Sequence, residues 1–551
     1  FLVPCGPGGN PADCNIASDL PYSLNGIGSD LFADVQLGRL PAPDLASASA
    51  LVTKLNTYAT TNPAPPGDDF LNHAAVTSYY QPPLICVLNA GESGTPNCDP
   101  DNPPVNAHWE INYPANTDTR GFTITAERIR NGIAADGYAV DRLYTTDDED
   151  VIPLNYWNGT PIPNHLRRPA FAWDANTTDF FNTYNDGRFV ILHRDHGWPD
   201  GWAEPTIHSG HVPGFTNGTK LPVVFGVNCA SAAFDTPDHP SFVELQVRRI
   251  GGGAVAGFGD TRNSPSFPNN HMTRGFFDAM FPNLQPEFGS PTPTRRLGEV
   301  LVRGKQFMAS QEGIDWQGAG DTYVEHFLYH LLGDPSLQMW ADPPHHFVPP
   351  DILTRYRALQ LSPGDPRFEV EVKLPIGGGE PPAFNTVATL LHDGDPIGRA
   401  IVGRDGTATI RPEIPTDSEH LTVSYQQDGV LPATDSVDDA PPRTATSLTL
   451  QVNGSPSHTS GGDFSGKLDP GFAGASVRIV YTPEGTVPGD PRSSFERTAT
   501  TAADGSWADH APFPFNVSNF GTNNWSARAY FDGDLDHAPS ASNTVQFTVG
   551  D

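Results

Sequence analysis

A chain of 551 residues exceeds the ~250 to 300 at which single hydrophobic cores stop growing, so one large domain with smaller companions is expected. Its 54 Gly and 56 Pro stay below the roughly 25–30% of a low-complexity chain, which excludes wholesale disorder. With 64 acidic against 32 basic residues the net charge is −32, which repels a phosphate backbone and excludes nucleic acid as a partner.

That acidity favours solubility and could supply carboxylates for structural Ca²⁺, although no motif requires a cofactor. No run of about 20 apolar residues occurs, so no spanning helix is expected. Phe1 to Gly9 lack the basic and apolar blocks of a signal peptide, so any leader is expected to have been removed or left out.

Along the chain, Asp44 can cap a helix running to about Tyr58, and Leu84 to Leu88 reads as a buried strand. Thr125 opens a second helix over Glu127 to Ala135. Arg188 to His193 and Pro222 to Val227 are apolar runs of strand length, Ser241 to Ile250 is a helix stopped by Gly251, and Ala254 to Phe258 is another strand. This alternation predicts an α/β domain over residues 1 to 342, with a mostly parallel sheet between helices. The break ADPPHHFVPPD follows, and helical patterns largely vanish. Phe368 to Leu374 and Thr407 to Ile410 alternate in period two, with Asp-Gly turns at 393–394 and 405–406. After a second seam, DDAPPR at 438–443, Ser447 to Val452, Ser476 to Tyr481, Trp525 to Tyr530 and Thr544 to Val549 repeat the pattern. Two β-sandwich domains are predicted, residues 343–440 and 441–551.

Five cysteines form two close pairs, Cys5/Cys14 and Cys86/Cys98, and a single thiol, Cys229. An odd thiol is either a buried apolar residue or a reactive group, and its neighbours decide. RFVILHRDHGWPDGWAEP, 188–205, is a buried strand running into a loop that holds His196 and Gly197; LPVVFGVNCASAAFD, 221–235, puts Cys229 at the corresponding end of the next strand. In an open parallel sheet, ligands bind beyond the carboxyl ends of the strands. If the two strands are neighbours, an imidazole can activate the thiol for attack on a carbonyl, and then protonate the leaving amine. Gly197 would let a substrate carbonyl approach the main chain.

Strand-His196-Gly197 followed by Trp202 and Pro205, then strand-Asn228-Cys229-x-x-x-x-Phe234-Asp235, resembles the catalytic core of gingipain-type cysteine peptidases, family C25. SDLFADVQLGRLP (29–41), GGAVAGFGDTR (252–262) and YHLLGDPSLQMW (329–340) extend the resemblance over about 300 residues in the family's order. It implies a caspase-like α/β/α catalytic domain, an Ig-like domain after it, secretion by a bacterium, and peptide-bond hydrolysis by Cys229 and His196 through a thioester. It also implies an oxyanion site on the main chain near Gly197 and Cys229. An acidic residue orienting the imidazole is expected on the loop 89–121, with Asp118 first and Glu92 and Glu110 as competitors. The family commonly has a pair such as Thr-Gly after the nucleophile, where this chain has Ala230-Ser231. Lysine-preferring members carry a pocket Asp after the GGAVA strand; the matching position here is Asn269, whose amide supplies no charge, so no strict requirement for Lys is expected. Asp147 to Asp150 could substitute for that charge, or form a solvated loop. Trp198 and Trp202 either line the cleft or pack. The two close cysteine pairs are expected to form disulfides, leaving Cys229 free.

The H-x-x-H pairs His193/His196 and His208/His211 suggest zinc only weakly, because the spacing needs a helix and structural zinc sites usually include Cys, so no metal site is expected. His193-Arg194-Asp195 mimics a kinase triplet without the rest of that signature. Asp532-Gly-Asp-Leu-Asp536 reads as a turn. The partners expected are protein or peptide substrates, with matrix or cell-surface contact through the β domains. A secreted adhesin with an inactive protease-like domain is the alternative.

Overall fold

The computed structural model describes residues 2–3, 15–24, 31–64, 67–96, 106–111, 117–147, 151–236, 239–286, 288, 292–314, 320–347, 353–360, 366–374, 383–412, 420–439, 444–486, 492–513, 523–533 and 537–550. Cys5, Cys14, Cys98, Asp148 to Asp150 and Asp536 lie outside them.

Six strands form the central sheet: β1 (His73–Tyr80), β2 (Ala139–Thr146), β3 (Val190–Arg194), β4 (Val223–Val227), β5 (Ala256–Asp260) and β6 (Tyr329–Leu332). Their order across the sheet is β6-β5-β4-β3-β1-β2. All neighbours run parallel except β6, which is antiparallel to β5. Strands buried on both faces need apolar residues at successive positions. Val190 and Leu192 accordingly enter one core with Phe225 and Phe258, while Ile191 and Val224 enter a second core. Helices α2 (Phe122–Ala135), α5 (Ser266–Met280) and α6 (Leu297–Glu312) pack in the first; α3 (Thr177–Asp186) and α4 (Phe242–Arg248) pack in the second.

Local chemistry sets the helix ends. Asp44 accepts the Ser47 N–H at 2.7 Å, starting α1 (Leu45–Thr60), and Glu244 accepts the N–H and hydroxyl of Ser241 before α4. Helix α4 stops at Arg248, short of the expected Ile250. The Lys54 ammonium of α1 reaches across to donate to the carbonyls of Val247, Arg249 and Gly252 at 2.8–3.1 Å, closing that end.

Leu84–Leu88, expected as a buried strand, is instead half of a hairpin with Ala107–Ile111, and Leu84 and Ile85 are exposed. The sheet strand of this region is β1, HAAVTSYY, whose Thr77 and Ser78 are fully buried and interrupt the apolar run. The flanking motifs are structural. Gly38 meets the carbonyl of Gly333 so closely that a Cβ would lie 2.3 Å from it, Arg39 forks onto Asp19 and lies 4.0 Å over Phe234, and Trp340 Nε1 donates to the Tyr58 carbonyl.

The chain forms two compact units. The first comprises residues 1–348 with 425–433; in it His345–His346 pairs in parallel with Val430–Leu431, and Arg296 pairs with Asp428 at 2.8 Å. The second is β-rich. It holds a four-stranded sheet of Leu353–Gln360, Pro366–Lys373, Thr407–Ile410 and Asp438–Asp439, a hairpin of Val387–His392 with Asp395–Ile401, and two antiparallel sheets beyond residue 444 around Leu468, Ile479, Tyr481 and Trp525.

Candidate active site

The chain passes from β1 out to β2, then returns to the other side of β1 for β3 and the strands beyond, so the sheet reverses direction between β1 and β3. Such a reversal opens a crevice beyond the carboxyl ends of the strands. Gln81 follows β1 directly and His196 stands two residues past β3. Cys229 stands two residues past β4, and because Arg194 pairs with Val227, His196 and Cys229 leave their adjacent strands at equal height. Parallel neighbours lie ~4.8 Å apart, so the register brings the main chains that carry the two residues to the same end of adjacent strands.

Gly197 tightens the arrangement. A Cβ there would fall 2.6 Å from Asn228 Oδ1, so the residue after His196 lies against the residue before Cys229. The space a side chain at 197 would take is filled by that amide. Asn228 Nδ2 also meets His193 Nδ1 at 2.9 Å, and the His193 ring stacks on Trp202 at 4.6 Å. Trp202 is fully buried between Phe180 and Phe242, so it is core rather than cleft lining, while Trp198 is exposed.

The imidazole of His196 is half-buried, edge-on to Phe122 at 5.2 Å, and its Nε2 meets Gln81 Oε1 at 3.1 Å. An amide oxygen can only accept, so Nε2 carries the proton and Nδ1 keeps its lone pair. Burial, with Arg120 and Arg194 adding to it, pushes His196 down to about 4. The residue expected from the sequence at this place is a carboxylate. Asp118 is buried, but its Oδ1 accepts the Arg120 N–H at 3.1 Å, and burial lifts it to about 6. Glu110 is exposed and pairs with His108, and Glu92 is exposed on its loop. Asp195 accepts the Glu204 N–H at 2.8 Å and so fixes its own loop.

Cys229 is a free thiol, whereas Cys86 is disulfide-bonded. Burial pushes the thiol up to about 11, the buried Asp260 carboxyl adds to this, and hydrogen bonds from Ser264 oppose it. Ser264 Oγ also donates to the Asn228 carbonyl at 2.6 Å and accepts from Asn269 Nδ2 at 2.7 Å. Asn269, expected in a substrate pocket, is only 1% exposed and supports the nucleophile loop through Ser264. Ala230 takes the left-handed conformation, φ 57°, that a glycine would adopt without strain. Arg262 forks onto Asp235 and ties the end of this loop to the strand beside it.

The His208 and His211 rings lie 3.8 Å apart, and each Nδ1 accepts a main-chain N–H, from Gly210 and His208. Those bonds keep the remaining ring protons on Nε2, the atoms a metal would need. Gln81 is the residue that sequence reasoning missed. Its signal was position alone, first after the strand at the reversal.

The profile of peptidase family C25 matches residues 2–340. The chain belongs to peptidase family C25. Among solved structures, the Arg-specific cysteine proteinase gingipain R (RgpB) matches with a TM-score of 0.53 at 19% identity, over 78% of this chain and 80% of that one. The complex of Porphyromonas gingivalis RgpB pro- and mature domains matches at 0.52 and 19%, over 77% and 81%. A further protease structure matches at 0.50 and 17%, over 77% and 78%. At such identity the likeness is one of fold: a C25 caspase-like α/β domain with a β-rich region after it. No curated protein matches. No helix among the described residues is long and apolar enough to cross a membrane.

Proposed function

We propose that this C25 chain is a secreted cysteine endopeptidase that cleaves proteins through Cys229 and His196. The observation that carries the reading is the shared height of the two residues at the ends of paired strands β3 and β4, locked by the contact of Gly197 with Asn228. Gln81, rather than Asp118, orients the imidazole. With Nε2–H on Gln81, His196 Nδ1 takes the thiol proton as sulfur attacks the scissile carbonyl, then gives it to the leaving amine. Water hydrolyses the thioester with the same base. The Ala230 N–H is committed to the Arg262 carbonyl and the Ala232 N–H to that of Asp260, so the oxyanion falls to the main-chain N–H groups of Gly197 and Cys229.

Cys229→Ala and His196→Ala are expected each to abolish cleavage of a protein substrate, with the double variant scarcely worse than either, because the pair acts as a unit. Multiplicative losses would refute a shared dyad. Full cleavage by Cys229→Ala would refute the cysteine mechanism, and a folded wild-type chain that cleaves nothing would favour the inactive, adhesive alternative.

A further inference from the structure

A hydroxyl donates one hydrogen bond and accepts two. Among the described residues, five polar groups converge on Ser264 Oγ, so it cannot serve them all. It donates to the Asn228 carbonyl at 2.6 Å and accepts from Asn269 Nδ2 at 2.7 Å. The Cys229 thiol, the Asp260 carboxyl and the Tyr329 hydroxyl also lie within its hydrogen-bonding reach. Asn269 is itself fixed, being only 1% exposed, with its main-chain carbonyl taking the Thr273 hydroxyl at 2.7 Å inside α5. The oxygen of Ser264 is therefore anchored, and its proton is what can change partner.

The segment that carries Ser264 runs beside the nucleophile. The Ala230 N–H donates to the Arg262 carbonyl at 3.0 Å, which lays 262–264 along 228–230, and the main-chain N–H of Ser264 also serves the sulfur. The buried Arg194 guanidinium favours a thiolate too, but directs its hydrogen bonds elsewhere, to Asn270 Oδ1 and the carbonyls of Val227 and Ser266. A thiol can donate to the remaining lone pair of Ser264, whereas a thiolate can only accept. Once the sulfur is ionised, the hydroxyl proton has a stronger acceptor there than at a neutral carbonyl. The Asn228 carbonyl is not left bare by that turn, since the hydroxyl of the fully buried Tyr329 stands 3.5 Å from it.

We propose that Ser264 is a further catalytic residue: its hydroxyl turns from the Asn228 carbonyl to the Cys229 sulfur as that sulfur gives its proton to His196, and it holds the thiolate until the sulfur attacks. The Ser264 proton stays on Oγ throughout, and the proton lost by sulfur goes to His196 Nδ1. The inference rests on the peptidase reading above and adds a third side chain acting on the sulfur.

The test alkylates the full chain with iodoacetamide at pH 8, follows Cys229 by peptide mapping, and measures kcat and KM on a peptide substrate beside it. Ser264→Ala removes the hydroxyl and keeps the main-chain N–H. A hydrogen bond to a charged group changes the thiolate fraction about tenfold or more, and the greater nucleophilicity of a more basic sulfur returns about half of that on a logarithmic scale. Alkylation is therefore expected to slow about threefold or more, and kcat to fall about tenfold or more with KM within about twofold. Ser264→Thr, which keeps the hydroxyl, is expected to regain most of both. A residue that merely braced the loop would, when lost, expose the thiol and quicken alkylation. Unchanged or faster alkylation in Ser264→Ala overturns the proposal, as does a threonine variant no better than the alanine one. If Ser264→Ala shows no melting transition, Asn269→Ala decides in its place, because it frees the anchored oxygen: slower alkylation supports the proposal, and an unchanged or faster rate overturns it. A wild-type chain that cleaves no peptide while Ser264→Ala slows alkylation refutes the peptidase reading and leaves Ser264 as the donor to the thiolate.

Discussion

The imidazole of His196 leans on an amide, and a neutral partner cannot stabilise an imidazolium as a carboxylate would. With the thiol up at about 11 and the imidazole down at about 4, the resting dyad is uncharged, and the proton moves only as sulfur attacks. Alkylation of Cys229 by iodoacetamide should therefore quicken about tenfold per pH unit from pH 6 to 10, following the thiolate fraction. A plateau reaching below pH 6 would reveal a resting ion pair instead. Gln81→Glu places a carboxylate on Nε2 and should raise the acid limb of kcat/KM, set near pH 4 by His196, by about 1 to 2 units. Gln81→Ala should lower kcat about tenfold or more without that rise. Gln81→Glu that leaves the limb in place would show that the amide does not orient the base. Cys229 and His196 were legible because an odd thiol and a His-Gly pair each end an apolar run. Gln81 was not, because its neighbours are two prolines and a strand whose buried Thr77 and Ser78 disguise it.

Strand β1 is disguised in the sequence where its neighbours are not. β3, β4 and β5 open on apolar residues and are buried throughout, and two-sided burial demands such runs, so their sequences announce them. β1 and β2 carry polar residues inward, and in this region a half-exposed hairpin at Leu84–Leu88 offered a stronger apolar signal than the true strand. Between β1 and α2 lies Asp118, whose carboxyl is buried without a counter-charge at hydrogen-bond distance among the described residues. Its folded pKa, about 6, stands above the ordinary 3.8, so its protonated form favours the fold. That contribution is full below pH 3.8 and is lost as pH rises through 6, a difference of about 3 kcal/mol at most. Asp118→Asn should remove this slope and raise the melting temperature at pH 8 relative to pH 4. An unchanged difference between wild type and variant across that range would mean the carboxyl is solvated or paired.

At the scale of the whole molecule the proline-rich breaks at 341–351 and 438–443 were visible as composition, and the alternating strands beyond them as period two. What sequence could not show is that residues 425–433, deep in the β-rich region, belong to the first unit, because a parallel pairing between segments 85 residues apart leaves no local signature. A chain ended after residue 348 would lose the partner strand of His345–His346, the Gly429 carbonyl that accepts the His345 N–H at 2.8 Å, and the Arg296–Asp428 ion pair. Its catalytic unit should melt several degrees below the same unit in the full chain. Equal melting would mean these pairings contribute nothing. The peptidase is thus not a cassette with one clean cut site. Exchange of the β-rich region between relatives would replace part of the enzyme's own wall, so the two regions are expected to travel together through recombination and to change in step.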